Sequence, residues 1–107
     1  MKRLTALALA LAATLAAVPA FAQDTLAKIK EKGVITVGVK NDYKPWGFLD
    51  PSGKIVGLEI DLAQEVASKI GVKLEMIPVI AANRIEFLRQ GRIDMISATL
   101  GDTAERR

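Results

Sequence analysis

The chain has 107 residues, half of them hydrophobic, with 15 basic and 12 acidic side chains and a formal charge of +3. That length holds one modest domain at most, and the apolar content excludes a disordered tail, a collagen-like repeat and a multidomain enzyme. With neither Cys nor His there is no thiol nucleophile, imidazole base, disulfide, lipobox cysteine or usual zinc ligand, and with no G-x-G-x-x-G, Walker or metal-loop pattern either, no metal or other cofactor is expected.

The first 22 residues stand apart. Met1-Lys2-Arg3 is a positive start, Leu4 to Val18 an uncharged Ala/Leu-rich stretch, and Pro19-Ala20-Phe21-Ala22 a helix break followed by an A-x-A cleavage pattern. The alternative is a membrane anchor, because Leu4 to Gln23 is free of charge and ~20 apolar residues span a bilayer. The alanine content, Pro19 and the small residues at the break favour an export signal over residues 1–22 that is removed, leaving a soluble periplasmic protein. The remaining 85 residues carry 13 basic and 12 acidic side chains, a formal charge of only +1. No basic cluster is dense enough to hold nucleic acid.

From Asp24 the apolar spacing predicts a short helix to Lys32, with Leu26 and Ile29 on one face and Gly33 ending it. Val34 to Val39 reads as a buried parallel strand. A polar loop carrying Tyr43 and Trp46 follows. A small hairpin then pairs 47–49 with 54–56 around Asp50-Pro51-Ser52-Gly53, which suits a type I turn. Glu59 to Ile70 predicts a helix with Ile60, Leu62, Ala63, Val66, Ala67 and Ile70 inward and Gly71 closing it. Val72 to Val79 alternates as a strand ending at Pro78. Asn83 to Gln90 predicts a helix burying Ile85, Phe87 and Leu88, and Ile93 to Ser97 a third strand. Thr103 to Arg106 resembles the first turn of another helix, with Thr103 as N-cap.

Short buried strands alternating with helices indicate an α/β fold with a parallel sheet. Right-handed crossovers give the order 2-1-3, with strand 34–39 central and helices on both faces. Ligands in open sheets sit beyond the carboxyl ends of the strands where the winding direction switches, here between the first and third strands. Loops 40–46 and 98–102 are therefore the expected site. The chain stops one turn into a helix with unpaired sheet edges, and so small a sheet is marginal; residues 23–107 are expected to be the N-terminal part of a larger domain.

Within those loops, the N–H groups of Gly101 to Thr103, the helix dipole and the Arg106 guanidinium together form a seat for an anion, and a carboxylate is the natural guest for a bidentate arginine. The alternative makes Thr103 a cap alone and Arg106 a solvated charge. Tyr43 and Trp46 either wall a cleft or fill a core. Lys40, Asp42 and Arg84 could face the same opening, while Asp94 supports a turn. Glu59 and Asp61, two apart at a helix start, diverge and complement the dipole instead of forming a catalytic pair.

Gly57-Leu58-Glu59-Ile60-Asp61-Leu62 with Val66-Ala67 and Ile70, the Tyr43-Lys44-Pro45-Trp46 loop, Gly91-Arg92-Ile93-Asp94 and Thr103-Ala104-Glu105-Arg106 together resemble the family 3 extracellular solute-binding proteins. Those proteins serve ABC importers of polar amino acids. The resemblance implies a two-lobed clamp of the type II periplasmic kind, monomeric when full length, with these residues as the first segment of lobe one. By position it implies that Tyr43 packs on the ligand, that Thr99 and Gly101 hydrogen-bond its α-carboxylate and that Arg106 is the bidentate partner. Ala98 stands where some relatives have Ser. Ala82-Asn83-Arg84-Ile85 is similar to the segment from which binders of acidic amino acids aim a second arginine, Arg84, at the ligand. The implied function is capture of a polar amino acid, an acidic one favoured, for a membrane permease. The competing implication is a periplasmic cyclohexadienyl (prephenate/arogenate) dehydratase on the same fold; a sensor domain is a third. The chain by itself, holding a carboxylate from one side in water, is expected to have no useful affinity.

Overall fold

The computed structural model describes residues 24–107; the stretch read as an export signal lies outside them. Helix α1, Asp24–Lys32, ends at Gly33, whose φ of 71° and N–H bond to the Ile29 carbonyl close it as expected. Strand β1, Val34–Val39, is central in a parallel sheet with β5, Lys73–Pro78, on one side and β6, Met95–Ser97, on the other. Val34 lies opposite Lys73 and Val39 opposite Pro78, while Val37 to Val39 lie opposite Met95 to Ser97. This is the expected 2-1-3 order in an α/β fold.

The side chains of β1 sort by parity. Ile35, Val37 and Val39 pack with Ile29 of α1 and with Ile60, Ala63 and Ala67 of helix α2, Leu58–Ile70. The other face carries Val79, Ile93 and Ala98 with Phe87 of helix α3, Arg84–Arg89. Gly38 points into that second cluster, where a Cβ would lie 2.7 Å from Ile93 Cδ1. The helices therefore cover opposite faces, as right-handed crossovers require.

Several local expectations are corrected. Leu62 is not inward: it is 58 % exposed, two residues and ~200° of helix rotation from buried Ile60. Leu88 is exposed, and α3 buries Arg84 instead, at 8 % exposure. Ile93 is buried but precedes its strand, and Asp94 replaces a ladder position: its N–H donates to Thr36 O at 2.7 Å and its Oδ2 accepts from Thr36 N at 2.9 Å. The loop after β1 contains a short strand β2, Asp42–Tyr43, which pairs antiparallel with β3, Gly47–Leu49, and β3 with β4, Ile55–Val56. Gly47 permits the close return, since a Cβ there would come within 2.4 Å of the Lys40 carbonyl oxygen. The last turn, Ala104–Arg106, is a 3-10 turn; Thr103 precedes it in extended conformation, but its hydroxyl makes no cap bond.

Candidate functional site

Because β1 and β6 are parallel and Val39 lies opposite Ser97, the segments that begin at Lys40 and Ala98 leave the sheet side by side. The first is tied to α2 through its main chain. Leu58 N donates to Pro45 O at 3.1 Å and Glu59 N to Trp46 O at 2.9 Å, so the loop's carbonyls satisfy the helix's first N–H groups where a side-chain cap would ordinarily stand. Gly57 makes this geometry accessible: its φ is 134°, and a Cβ would come within 2.3 Å of Trp46 O. Tyr43 is 52 % exposed and Trp46 borders, with Leu58 and Leu62, an open groove of about 360 Å³ that Glu59, Asp61 and Glu65 also line. Lys40, largely buried, places its Nζ 3.1 Å from Asp42 Oδ1.

The second segment is held by side chains. Ser97 Oγ donates to the Glu59 carbonyl at 2.9 Å. The Arg84 guanidinium lies behind the segment and donates through Nη1 to Ala98 O at 2.7 Å. Thr99 N donates to Glu59 Oε1, also at 2.7 Å. Charge-assisted bonds of this length contribute about 1.5–3 kcal/mol each, while a β-branched residue in the left-handed region costs about 1–3 kcal/mol. Thr99 has φ 53° and is the non-glycine residue with positive φ among the described residues. Both ends of the peptide that precedes it are hydrogen-bonded to charged side chains.

Beyond Thr99 the chain is exposed. Arg106 Nη1 donates to Gly101 O at 2.8 Å, folding the guanidinium back over the loop, and Arg107 makes a two-point ion pair with Asp102 at 3.0 and 3.1 Å. The structure thus brings Thr99, Gly101 and Arg106 together on one loop at the carboxyl end of β6. Tyr43 stands on the neighbouring exit from β1, and Arg84 stands behind. Thr99 retains its hydroxyl for other work, its main-chain N–H being engaged with Glu59. Sequence reasoning missed Glu59, treating it as a complement to the helix dipole. Its place in the first turn of a helix facing the switch point is the available signal, but its partner is 40 residues away and no local spacing reveals it.

Residues 35–107 match the family described as bacterial extracellular solute-binding proteins, family 3. The glutamine-binding protein of Geobacillus stearothermophilus is 41 % identical over 88 residues, which is 78 % of this chain and 34 % of that protein. The cyclohexadienyl dehydratase of Pseudomonas aeruginosa is 33 % identical over 100 residues, 92 % of this chain and 37 % of the enzyme. Among solved structures, the arginine-bound form of domain 1 from TmArgBP, of T. maritima, superposes with a TM-score of 0.71 at 37 % identity, covering 74 % of this chain and 63 % of that domain. The chain spans about a third of the length of the curated relatives it matches. With the parallel sheet, the switch-point loops and these matches in agreement, the chain belongs to the family 3 bacterial extracellular solute-binding proteins.

Proposed function

We propose that this chain forms the first segment of lobe one of a periplasmic binding protein, monomeric when full length, that captures a polar L-amino acid and delivers it to the membrane permease of an ABC importer. Residues 1–22 act as a removed export signal and residues 23–107 as the incomplete lobe. The observation that carries this reading is the loop at the end of β6, where Thr99, Gly101 and Arg106 stand together beside the exit that bears Tyr43. An α-carboxylate seated there meets the Arg106 guanidinium, the Thr99 hydroxyl and the Gly101 main-chain N–H, and the Tyr43 ring covers the ligand side chain. The expectation that Arg84 reaches an acidic side chain meets a guanidinium buried on the Ala98 carbonyl. We therefore place Arg84 behind the loop, and glutamate and aspartate stand level with glutamine and arginine as candidates.

Calorimetric titration and thermal melting of the full-length protein with L-glutamate, L-aspartate, L-glutamine, L-arginine and L-cystine test the reading. At a ligand concentration of 100 Kd, binding stabilises the folded state by about 2.7 kcal/mol, a clear rise in melting temperature. No response to any of the five overturns it. The described chain belongs in the same titration, because domain 1 from TmArgBP is described in an arginine-bound form, which weighs against the expectation that a one-sided site holds nothing.

The dehydratase is kept as a second reading on the match to the Pseudomonas enzyme, at 33 % identity. Turnover of prephenate or arogenate by purified protein decides for it; amino-acid binding without turnover decides against.

A further inference from the structure

The Ala98 carbonyl and the Thr99 N–H belong to one peptide group. Arg84 donates to its oxygen at 2.7 Å and Glu59 accepts from its nitrogen at 2.7 Å, so a cation and an anion from helices on opposite faces of the sheet hold the two ends of a single amide. Each charged group retains one atom, Arg84 Nε and Glu59 Oε2, that is buried and has no hydrogen-bond partner among the described residues. Packing stability alone does not favour such an arrangement, since a buried polar atom without a partner is costly. The residue downstream of the amide is Thr99, at φ 53°, and it is this conformation that turns the chain towards Gly101.

We propose that Glu59 and Arg84 are a pair of positioning residues, a clamp across the Ala98–Thr99 peptide that presets the carboxylate-binding loop, and that neither touches the ligand. This rests on the reading of that loop as the ligand seat. The pair acts as a unit, because a peptide plane released at one end rotates and loosens the bond at the other.

The test is made in the full-length protein with Glu59→Ala, Glu59→Gln, Arg84→Met and the double variant Glu59→Ala/Arg84→Met, each read by amide hydrogen exchange and by titration with L-glutamate, L-glutamine and L-arginine. Arg84→Met is expected to speed exchange of the Thr99 amide on the order of tenfold, although Arg84 does not bond that amide, while Val37 in the central strand keeps its wild-type rate. Each single loss is expected to weaken whichever amino acid binds by about tenfold, and the double variant by little more than the worse single. Glu59→Gln, which keeps an acceptor oxygen, restores most of the affinity and the protection. If Arg84→Met does not fold, Arg84→Lys takes its place.

The clamp is overturned by unchanged Thr99 exchange in the Arg84 variant, by an effect that spreads equally to Val37, or by single losses that multiply in the double variant. Loss confined to L-glutamate also overturns it, because that marks direct contact with an acidic side chain. If the wild-type protein binds none of the three amino acids, the ligand reading fails while the exchange measurement still decides the clamp.

Discussion

The two ends of β6 are held in different ways. At the amino end Asp94 exchanges two hydrogen bonds with Thr36 of the adjacent strand, one through its main chain and one through its carboxylate, and so prolongs the ladder by one step. At the carboxyl end Ser97, Ala98 and Thr99 are held by α2 and α3, through the Glu59 main-chain carbonyl, the Arg84 guanidinium and the Glu59 carboxylate, all from outside the sheet. The first arrangement leaves the backbone relaxed. The second keeps Thr99 in the left-handed region and leaves Arg84 Nε and Glu59 Oε2 unpartnered. Strain at the end that carries the proposed site, and its absence at the other, is the pattern expected where a loop is held for binding.

The largest expected effect in breaking this contrast is at Gly57. Gly57→Ala drives a Cβ into Trp46 O from a φ of 134°, so it is expected to cost more than about 3 kcal/mol of stability and to displace Glu59. Chemical denaturation checks the first and loss of ligand affinity the second. Next is Arg106→Met: its side chain is exposed, so the melting temperature stays put, while binding weakens by about 2–3 kcal/mol, roughly 30- to 150-fold in Kd by calorimetry. Unchanged Kd removes the carboxylate seat.

Asp94→Ala tests the opposite end. It leaves the Thr36 N–H without its acceptor and is expected to cost about 1.5–3 kcal/mol by urea melting, with Kd unchanged. A weakened Kd would show that the two ends are not separable. The smallest effect lies in the β3–β4 turn. Asp50 is held below the ordinary carboxylate range, chiefly by the Ser52 hydroxyl and then by the Lys54 N–H. A lowered folded value means its contribution is complete above the unfolded value and fades as the pH falls through the folded one. As the pH falls below the ordinary carboxylate range the Ser52 and Lys54 amides are expected to lose protection, while Kd at neutral pH is unaffected by Asp50→Asn.

Much of the scaffold is legible in the chain. The β-branched run from Val34 to Val39 has no polar residue but Thr36 and must be buried on both faces, and Gly33, Gly71 and Gly91 all adopt the positive φ that ends a helix. The errors occur where one residue's fate depends on a neighbour distant in sequence. Leu62 belongs to an apolar stripe by spacing, yet Ala63 and Ala67 bring α2 close to the sheet on a narrower face that leaves it outside. Arg84 reads as a cation facing the ligand opening, yet it lies inside on the Ala98 carbonyl 14 residues later.

The sequence by itself determined the strand order and the end of the sheet at which the loops gather, because periodicity and crossover handedness act through nearest neighbours along the chain. It also determined that Thr99, Gly101 and Arg106 share a loop, since they are adjacent in the chain. Only the tertiary structure decided that Glu59 and Arg84 meet on one peptide group. That contact closes across 40 residues on one side and 14 on the other, and it forms only when both helices have docked on opposite faces of the same sheet.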